Sequence, residues 1–195
     1  MTDLADRRDP DPVYQPAEDS RLLGEVTREF VDRGDLVLDV GTGSGWVGSV
    51  AADEGATVVG VDVNPHACRE ALDLGVPTVR GNLVEPFRDE TFDTVAFNPP
   101  YLPTDPEDER DDWQETALSG GESGRAVVDP FIDTVGRVLA PGGDVLLLVS
   151  SLTGIEEVTD RAEANGFHVE EVEREKFPFE RLVVLRMITQ KHQTD

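Results

Sequence analysis

Seven apolar runs, most of them separated by segments with helical spacing, constrain this chain more than any other feature of its sequence. The runs lie near 36–40 (LVLDV), 57–61 (TVVGV), 76–80 (VPTVR), 92–97 (FDTVAF), 143–149 (GDVLLLV), 166–172 and 181–188. Helical segments are predicted near 17–32, 45–54, 65–74, 124–139 and 154–165. Strands alternating with helices build right-handed crossovers and a parallel sheet. Between the last two runs, EREKFPFE reads as a turn, which predicts an antiparallel hairpin. The predicted fold is therefore α/β, a seven-stranded, mostly parallel sheet closed by a C-terminal antiparallel hairpin. Asn64-Pro65 supplies a cap and a first helical residue, and Pro141-Gly142-Gly143 is predicted to end one helix and turn into the next strand.

A length of 195 residues suits one domain. That domain is predicted to span 13–190, after a flexible lead at 1–12 (MTDLADRRDPDP) that lacks the apolar centre of a secretory signal. No apolar run of membrane-spanning length occurs, so no membrane span is expected. Cys68 is the only cysteine, which excludes an intrachain disulfide and a cysteine-based zinc site and fits a cytoplasmic location. No metal site is expected. The net charge is −24, with only Lys176 and Lys191 as lysines. So acidic a surface argues against nucleic-acid partners in dilute salt. It also resembles the surfaces of halophilic proteins, because in molar salt charges interact over only about 3 Å.

LVLDVGTGSG, residues 36–45, places three glycines at alternate positions behind an apolar strand. Such a turn lets backbone N–H groups and a helix N-terminus approach a ligand. Asp39 stands in the strand, and Asp62 ends the next one, where a carboxylate can accept the hydrogens of a ribose diol. Gly43, Gly45 and Gly48 match GxGxxG, so a dinucleotide is one candidate ligand. In that pattern, however, the first glycine follows the strand directly, a place held here by Gly41, and the third would fall on the bulky Trp46. DxGxGxG better suits a ligand with a ribose and a charged amino-acid tail but no phosphate, such as S-adenosyl-L-methionine. A tight turn without a ligand is the plain alternative. In RGNLVEPF, the Asn82 amide and the Leu83 backbone are placed to meet an adenine edge.

The fourth run ends in Asn98-Pro99-Pro100-Tyr101. The prolines fix φ, remove two N–H donors and hold the preceding residues away from helical geometry. What remains is a stiff rim of acceptors, the Asn98 side-chain oxygen and the Pro99 carbonyl, with Tyr101 as a flat wall. A planar amino group can donate both hydrogens to such a rim. The acceptors then return electron density to a nitrogen whose lone pair is otherwise delocalised. Residues 102–123, rich in charge, proline and glycine, are predicted to form a long irregular insert.

DVGTGSG, GVDVN, GNL and FNPPY, in this order, resemble the class I S-adenosylmethionine-dependent methyltransferases, with their Rossmann-like fold. VYQPAEDSRLL, ahead of the first helix, and TALSGGESGR at 116–125 are similar to the short archaeal and eukaryotic branch of HemK-like release-factor glutamine methyltransferases. The resemblance implies N5-methylation of the glutamine in the Gly-Gly-Gln motif of a class I translation release factor. It implies that Ser20, Asp39, Gly41, Asp62, Asn82 and Leu83 bind the cofactor and that Asn98, Pro99 and Tyr101 hold the glutamine. Asn82 departs from the family, which often has an acidic residue there. Tyr14 and Glu18 are expected at the mouth of the pocket. The branch works with a small zinc-binding activator subunit, so a heterodimer is implied, with the edge strand near 76–80 as the pairing site.

Two other acceptors use the same chemistry, DNA adenine N6 and a protein lysine. A duplex-DNA enzyme needs base flipping and a recognition module, for which only the acidic insert is available. A non-catalytic scaffold is the reading from a different class, and a chain with every chemical position filled argues against it.

Overall fold

The computed structural model describes residues 13–105 and 113–189. The lead expected at 1–12 lies outside the described residues. The helices are α1 (Glu18–Phe30), α2 (Trp46–Asp53), α3 (Pro65–Asp73), α4 (Trp113–Leu118), α5 (Val128–Val135) and α6 (Ile155–Ala164). The strands are β1 (Leu36–Val40), β2 (Thr57–Asp62), β3 (Thr78–Arg80), β4 (Phe92–Phe97), β5 (Leu139–Ser150), β6 (Phe167–Lys176) and β7 (Arg181–Thr189).

The strands form one seven-stranded sheet in the order β3-β2-β1-β4-β5-β7-β6. The first five are mutually parallel, while β7 runs antiparallel to both β5 and β6. From β1 the chain travels outward to β2 and β3, then returns to place β4 on the other side of β1. The carboxyl ends of β1 and β4 thus flank the point where strand order reverses, and a crevice opens there.

Alternation along β5 shows how the sheet is covered. Leu146 and Leu148 face Leu22, Leu23 and Val26 of α1, whereas Val145, Leu147 and Val149 belong to the core shared with α5 and α6. Successive strand residues point to opposite faces, so a strand buried on both sides reads as one apolar run. Phe97 and Phe131 pack with ring centroids 4.5 Å apart under the β4 end. Each fully buried side chain of this kind contributes about 1.5–3 kcal/mol.

Three expectations are corrected. The helix predicted over 124–139 is shorter, at Val128–Val135, and Pro141-Gly142-Gly143 does not end it. Those residues bulge out of β5, whose pairing with β4 jumps from Phe92↔Leu139 to Thr94↔Asp144. A Cβ on Gly143 would stand 2.8 Å from the carbonyl oxygens of Phe92 and Asp93, so only glycine lets the bulge press against β4. The strand expected over 76–80 is confined to Thr78–Arg80. The insert is not wholly irregular, because α4 forms within it.

Candidate active site

A cavity of about 380 Å³ opens over the carboxyl ends of β1, β2 and β4 and the turn after β3. Register puts the key residues side by side. Val40 pairs with Phe97, so Gly41 and Asn98 follow as neighbours across the β1–β4 gap. Val40 also pairs with Val61, which brings Asp62 next to Gly41 on the other side.

Gly41, Gly43 and Gly45 have φ of 59°, 53° and 85°. A left-handed conformation costs an L-residue roughly 1–2 kcal/mol, so three in alternation require glycine. Gly45 is the residue before α2, and a Cβ there would come within 2.8 Å of the Ala71 Cα. Asp39 ties the loop down. Its Oδ2 accepts from Thr42 Oγ1 at 2.7 Å and from the Gly48 backbone N–H at 2.9 Å. Burial pushes the Asp39 carboxyl up to about 6, against the pull of those two hydrogen bonds, and nearby Asp62 raises it further. Asp39 lines the cavity, but this oxygen is spent on the loop rather than kept for a ligand.

Asp62 accepts from the Gly43 N–H at 3.0 Å and the Asn64 N–H at 2.8 Å, one on each oxygen. Its carboxyl is also raised by burial, and the hydrogen bonds oppose the shift. Leu83 holds φ at 47°, an uncommon conformation for a non-glycine residue. Such strain clusters at functional sites. The Asn82 side-chain nitrogen donates to Glu85 Oε1 at 2.9 Å, so this half of the amide is committed to the turn. Trp46 fits at the start of α2 because its ring lies over Gly24 of α1, where a Cβ would be 2.4 Å from the indole.

At the other end of the cavity stand Asn98, Pro99, Pro100 and Tyr101. Asn98 Oδ1 is buried and has no hydrogen-bond partner among the described residues. An unmet acceptor out of water costs about 1–3 kcal/mol and calls for a donor. Asn98 Nδ2 donates to Ser20 Oγ at 3.4 Å. Tyr101 is half-buried, and burial together with the Asp19 and Glu180 charges raises its hydroxyl well above the usual range, so it stays neutral. Just beyond Tyr101, Leu102 forms a parallel bridge with Ser119, and Thr116, Ala117 and Leu118 close over the cavity. The insert therefore supplies a wall of the site. Nothing in its composition distinguishes a wall from a free loop, because the bridge depends on contact across 17 residues.

Tyr14 lines the cavity as expected, but Glu18 does not. Glu18 is exposed, in an outer groove with Arg21 and Glu25. The carboxylate that faces the site is its neighbour Asp19, which is 4% exposed and receives the Tyr14 hydroxyl on both oxygens, at 3.2 and 3.1 Å. Helical phase separates the two acids, and adjacent positions on a helix point about 100° apart. A carboxylate placed on the apolar face of the α1 pattern was the available signal for Asp19.

The cavity fits S-adenosyl-L-methionine on three counts: a loop with glycine at every second position, a partly buried carboxylate on the neighbouring strand, and a buried acceptor without a donor at the opposite end. Comparison with known proteins agrees. A methyltransferase-domain family model matches residues 38–99. A putative protein N5-glutamine methyltransferase of Methanocaldococcus jannaschii is 39% identical over 181 residues, covering 89% of this chain and 90% of that protein. Methyltransferase HEMK2 of Homo sapiens is 31% identical over 169 residues, covering 79% of each. Among solved structures, the E. cuniculi Mtq2–Trm112 complex, described as responsible for methylation of the eRF1 translation termination factor, matches with a TM-score of 0.77. It is 28% identical and covers 92% of this chain and all of the matched one. Sequence, sheet order and site together place the chain in the HemK-type class I S-adenosylmethionine-dependent methyltransferases.

Proposed function

We propose that this enzyme methylates the side-chain amide nitrogen of a glutamine, the one in the Gly-Gly-Gln motif of a class I translation release factor. The observation that carries it is the buried, unpartnered Asn98 Oδ1 at the end of a proline-stiffened strand. The names of the relatives support the choice of a glutamine, and that of the Mtq2 complex supports a termination factor. When bound, S-adenosyl-L-methionine would supply an electrophilic methyl and keep the electron pair of the broken methyl–sulfur bond on sulfur; the amide nitrogen would form the new bond with its own pair and release one of its two hydrogens to water as a proton. The chain's residues do the rest. Asp62 would take the ribose hydroxyls, the Asn82–Leu83 turn would meet the adenine edge, and the glycine loop, with Gly41 at its head and Asp39 holding it in shape, would supply backbone N–H groups to the cofactor. Ser20, which lines the cavity and accepts from Asn98 Nδ2, would serve the cofactor's tail or, through Asn98, the acceptor end of the site. Asn98 Oδ1 and the Pro99 carbonyl accept the two amide hydrogens, restore electron density to nitrogen and aim it, while Tyr101 walls the group in. Such alignment can contribute about 7–11 kcal/mol.

A small activator subunit is part of this reading, bound at the β3 edge. β3 is three residues long and ends the sheet, so one side of it has no neighbour among the described residues. Val63, Leu72, Leu74 and Val79, all exposed apolar residues, belong to the same β2–α3–β3 unit. An unpaired edge beside exposed apolar side chains fits strand addition by a partner.

The test is labelled S-adenosyl-L-methionine offered with a release factor, its Gly-Gly-Ala counterpart, or DNA. Label in the first alone is expected. Equal label in the first two moves the acceptor elsewhere, and label in DNA alone refutes the reading.

A further inference from the structure

We propose that Asp19 and Ser20 form a relay that sets which way round the Asn98 amide sits, and so decide that an oxygen rather than an amino group is left for the substrate. The inference rests on the function proposed above, since it takes Asn98 Oδ1 as the acceptor of the reacting amide's hydrogen.

A side-chain amide is nearly symmetric in shape, so packing alone does not choose between its two orientations. Hydrogen-bond polarity does. Asp19 is buried at the start of α1, and its carboxylate can only accept. It receives the Tyr14 hydroxyl on both oxygens and the Ser20 backbone N–H on Oδ1 at 2.6 Å. The Ser20 hydroxyl also donates to Asp19 Oδ1, at 3.3 Å. A hydroxyl has one hydrogen, and Ser20 gives its own to a carboxylate, the stronger acceptor. Ser20 Oγ is then left only with lone pairs. The group that meets it from β4 must be a donor, and Asn98 Nδ2 is that donor, at 3.4 Å. Asn98 Oδ1 is consequently turned away from Ser20 and stays unpartnered. Were Asp19 a donor, Ser20 could give its hydrogen to Asn98 Oδ1 instead, and the amide would turn its amino group to the substrate. Two donors would then face each other.

Asp19 is a positioning residue in this scheme: it borders the cavity and acts through Ser20. Ser20, 78 residues from Asn98 in sequence, couples α1 to the reacting end of β4.

The experiment measures kcat, KM for the release factor and S-adenosyl-L-methionine affinity by calorimetry, for the full chain with its activator. The variants are Asp19→Asn, Ser20→Ala, Ser20→Thr, the double Asp19→Asn/Ser20→Ala, and Asn98→Ala. Asp19→Asn and Ser20→Ala are each expected to lower kcat about tenfold or more. Cofactor affinity should hold in Asp19→Asn, the double should fall little below either single in kcat, and Ser20→Thr, which keeps the hydroxyl, should restore most of the rate lost in Ser20→Ala. The Asn98 side-chain amide resonances in an NMR spectrum should shift in both single variants. Unchanged kcat and unchanged Asn98 resonances in Asp19→Asn overturn the relay, as does a Ser20→Ala defect confined to cofactor affinity. Should Asp19→Asn fail to fold, the Ser20 pair and the Asn98 resonances decide alone. A silent Asn98→Ala defeats the underlying function. A crippled Asn98→Ala beside unimpaired Asp19 and Ser20 variants defeats only the relay.

Discussion

The indole of Trp46 lies against Gly24, so close that a Cβ on the glycine would stand 2.4 Å from the ring. The bulky residue at the start of α2 is thus accommodated by the missing side chain in α1. Gly24→Ala gains about 1 kcal/mol of helix propensity but meets overpacking of about 1–3 kcal/mol. We expect net destabilisation in urea unfolding, with a shift in tryptophan fluorescence as Trp46 is displaced. Because Trp46 also lines the cavity, cofactor affinity should fall with it.

Asp39 gives a pH signature. Its folded-state value, about 6, lies above that of an unfolded aspartate. The folded protein therefore binds more protons than the unfolded one between the two values. This contribution is full below the unfolded pKa and lost as pH rises through about 6. Between pH 5 and pH 7.5 the wild type should lose about 1.5 kcal/mol relative to Asp39→Asn, whose amide oxygen can still hold Thr42 and Gly48. Parallel pH profiles of the two proteins would remove burial of a charge as the cause.

Arg186 carries the hairpin. Its Nε donates to Asp144 Oδ2 at 2.6 Å, and its guanidinium sits 4.8 Å above the Phe30 ring centroid. Asp144 also accepts from Thr94 Oγ1 at 3.1 Å. Replacing Arg186 by Met leaves a buried carboxylate without its cation. The expected cost is about 3 kcal/mol, the low end for a buried pair, because the arginine is partly solvated. Arg186→Met/Asp144→Leu should recover much of it, and a double as weak as the single would contradict this account.

The β3 edge predicts a binding defect. Leu72→Arg and Leu74→Arg, at exposed positions, should leave the isolated fold intact by circular dichroism yet reduce co-purification with the activator at least tenfold. Unchanged co-purification would move the interface elsewhere.

The net charge of −24 predicts salt-dependent stability. Raising potassium chloride from 0.1 to 1 M shortens the Debye length from about 10 to about 3 Å and screens like-charge repulsion. Melting temperature should climb across that range, whereas a flat profile would show that the acidic surface costs the fold little.

Much of the architecture was legible along the chain. LVLDV and FDTVAF form strands over the same residues that their apolar runs mark, and Asn64-Pro65 opens α3, with the Asn64 side chain accepting the His66 N–H. Those features are local, since a two-sided buried strand and an N-cap write themselves into a few consecutive residues. The boundaries of α5 and β5 were not legible. Pro141-Gly142-Gly143 is a helix stop by composition, and only pairing with β4 makes it a bulge.

The sequence by itself determined the order of the strands and of every helix but α4, the glycine loop, and the stiff acceptor rim at Asn98-Pro99-Pro100-Tyr101, because each depends on patterns and backbone restrictions carried by the residues themselves. Tertiary structure alone decided what those groups are free to do. It spent one Asp39 oxygen on Thr42 and Gly48, turned Glu18 outward and Asp19 inward, and set Ser20 against Asn98. Hydrogen-bond valence is a property of neighbours in space, and α1 meets β4 only once the sheet has formed.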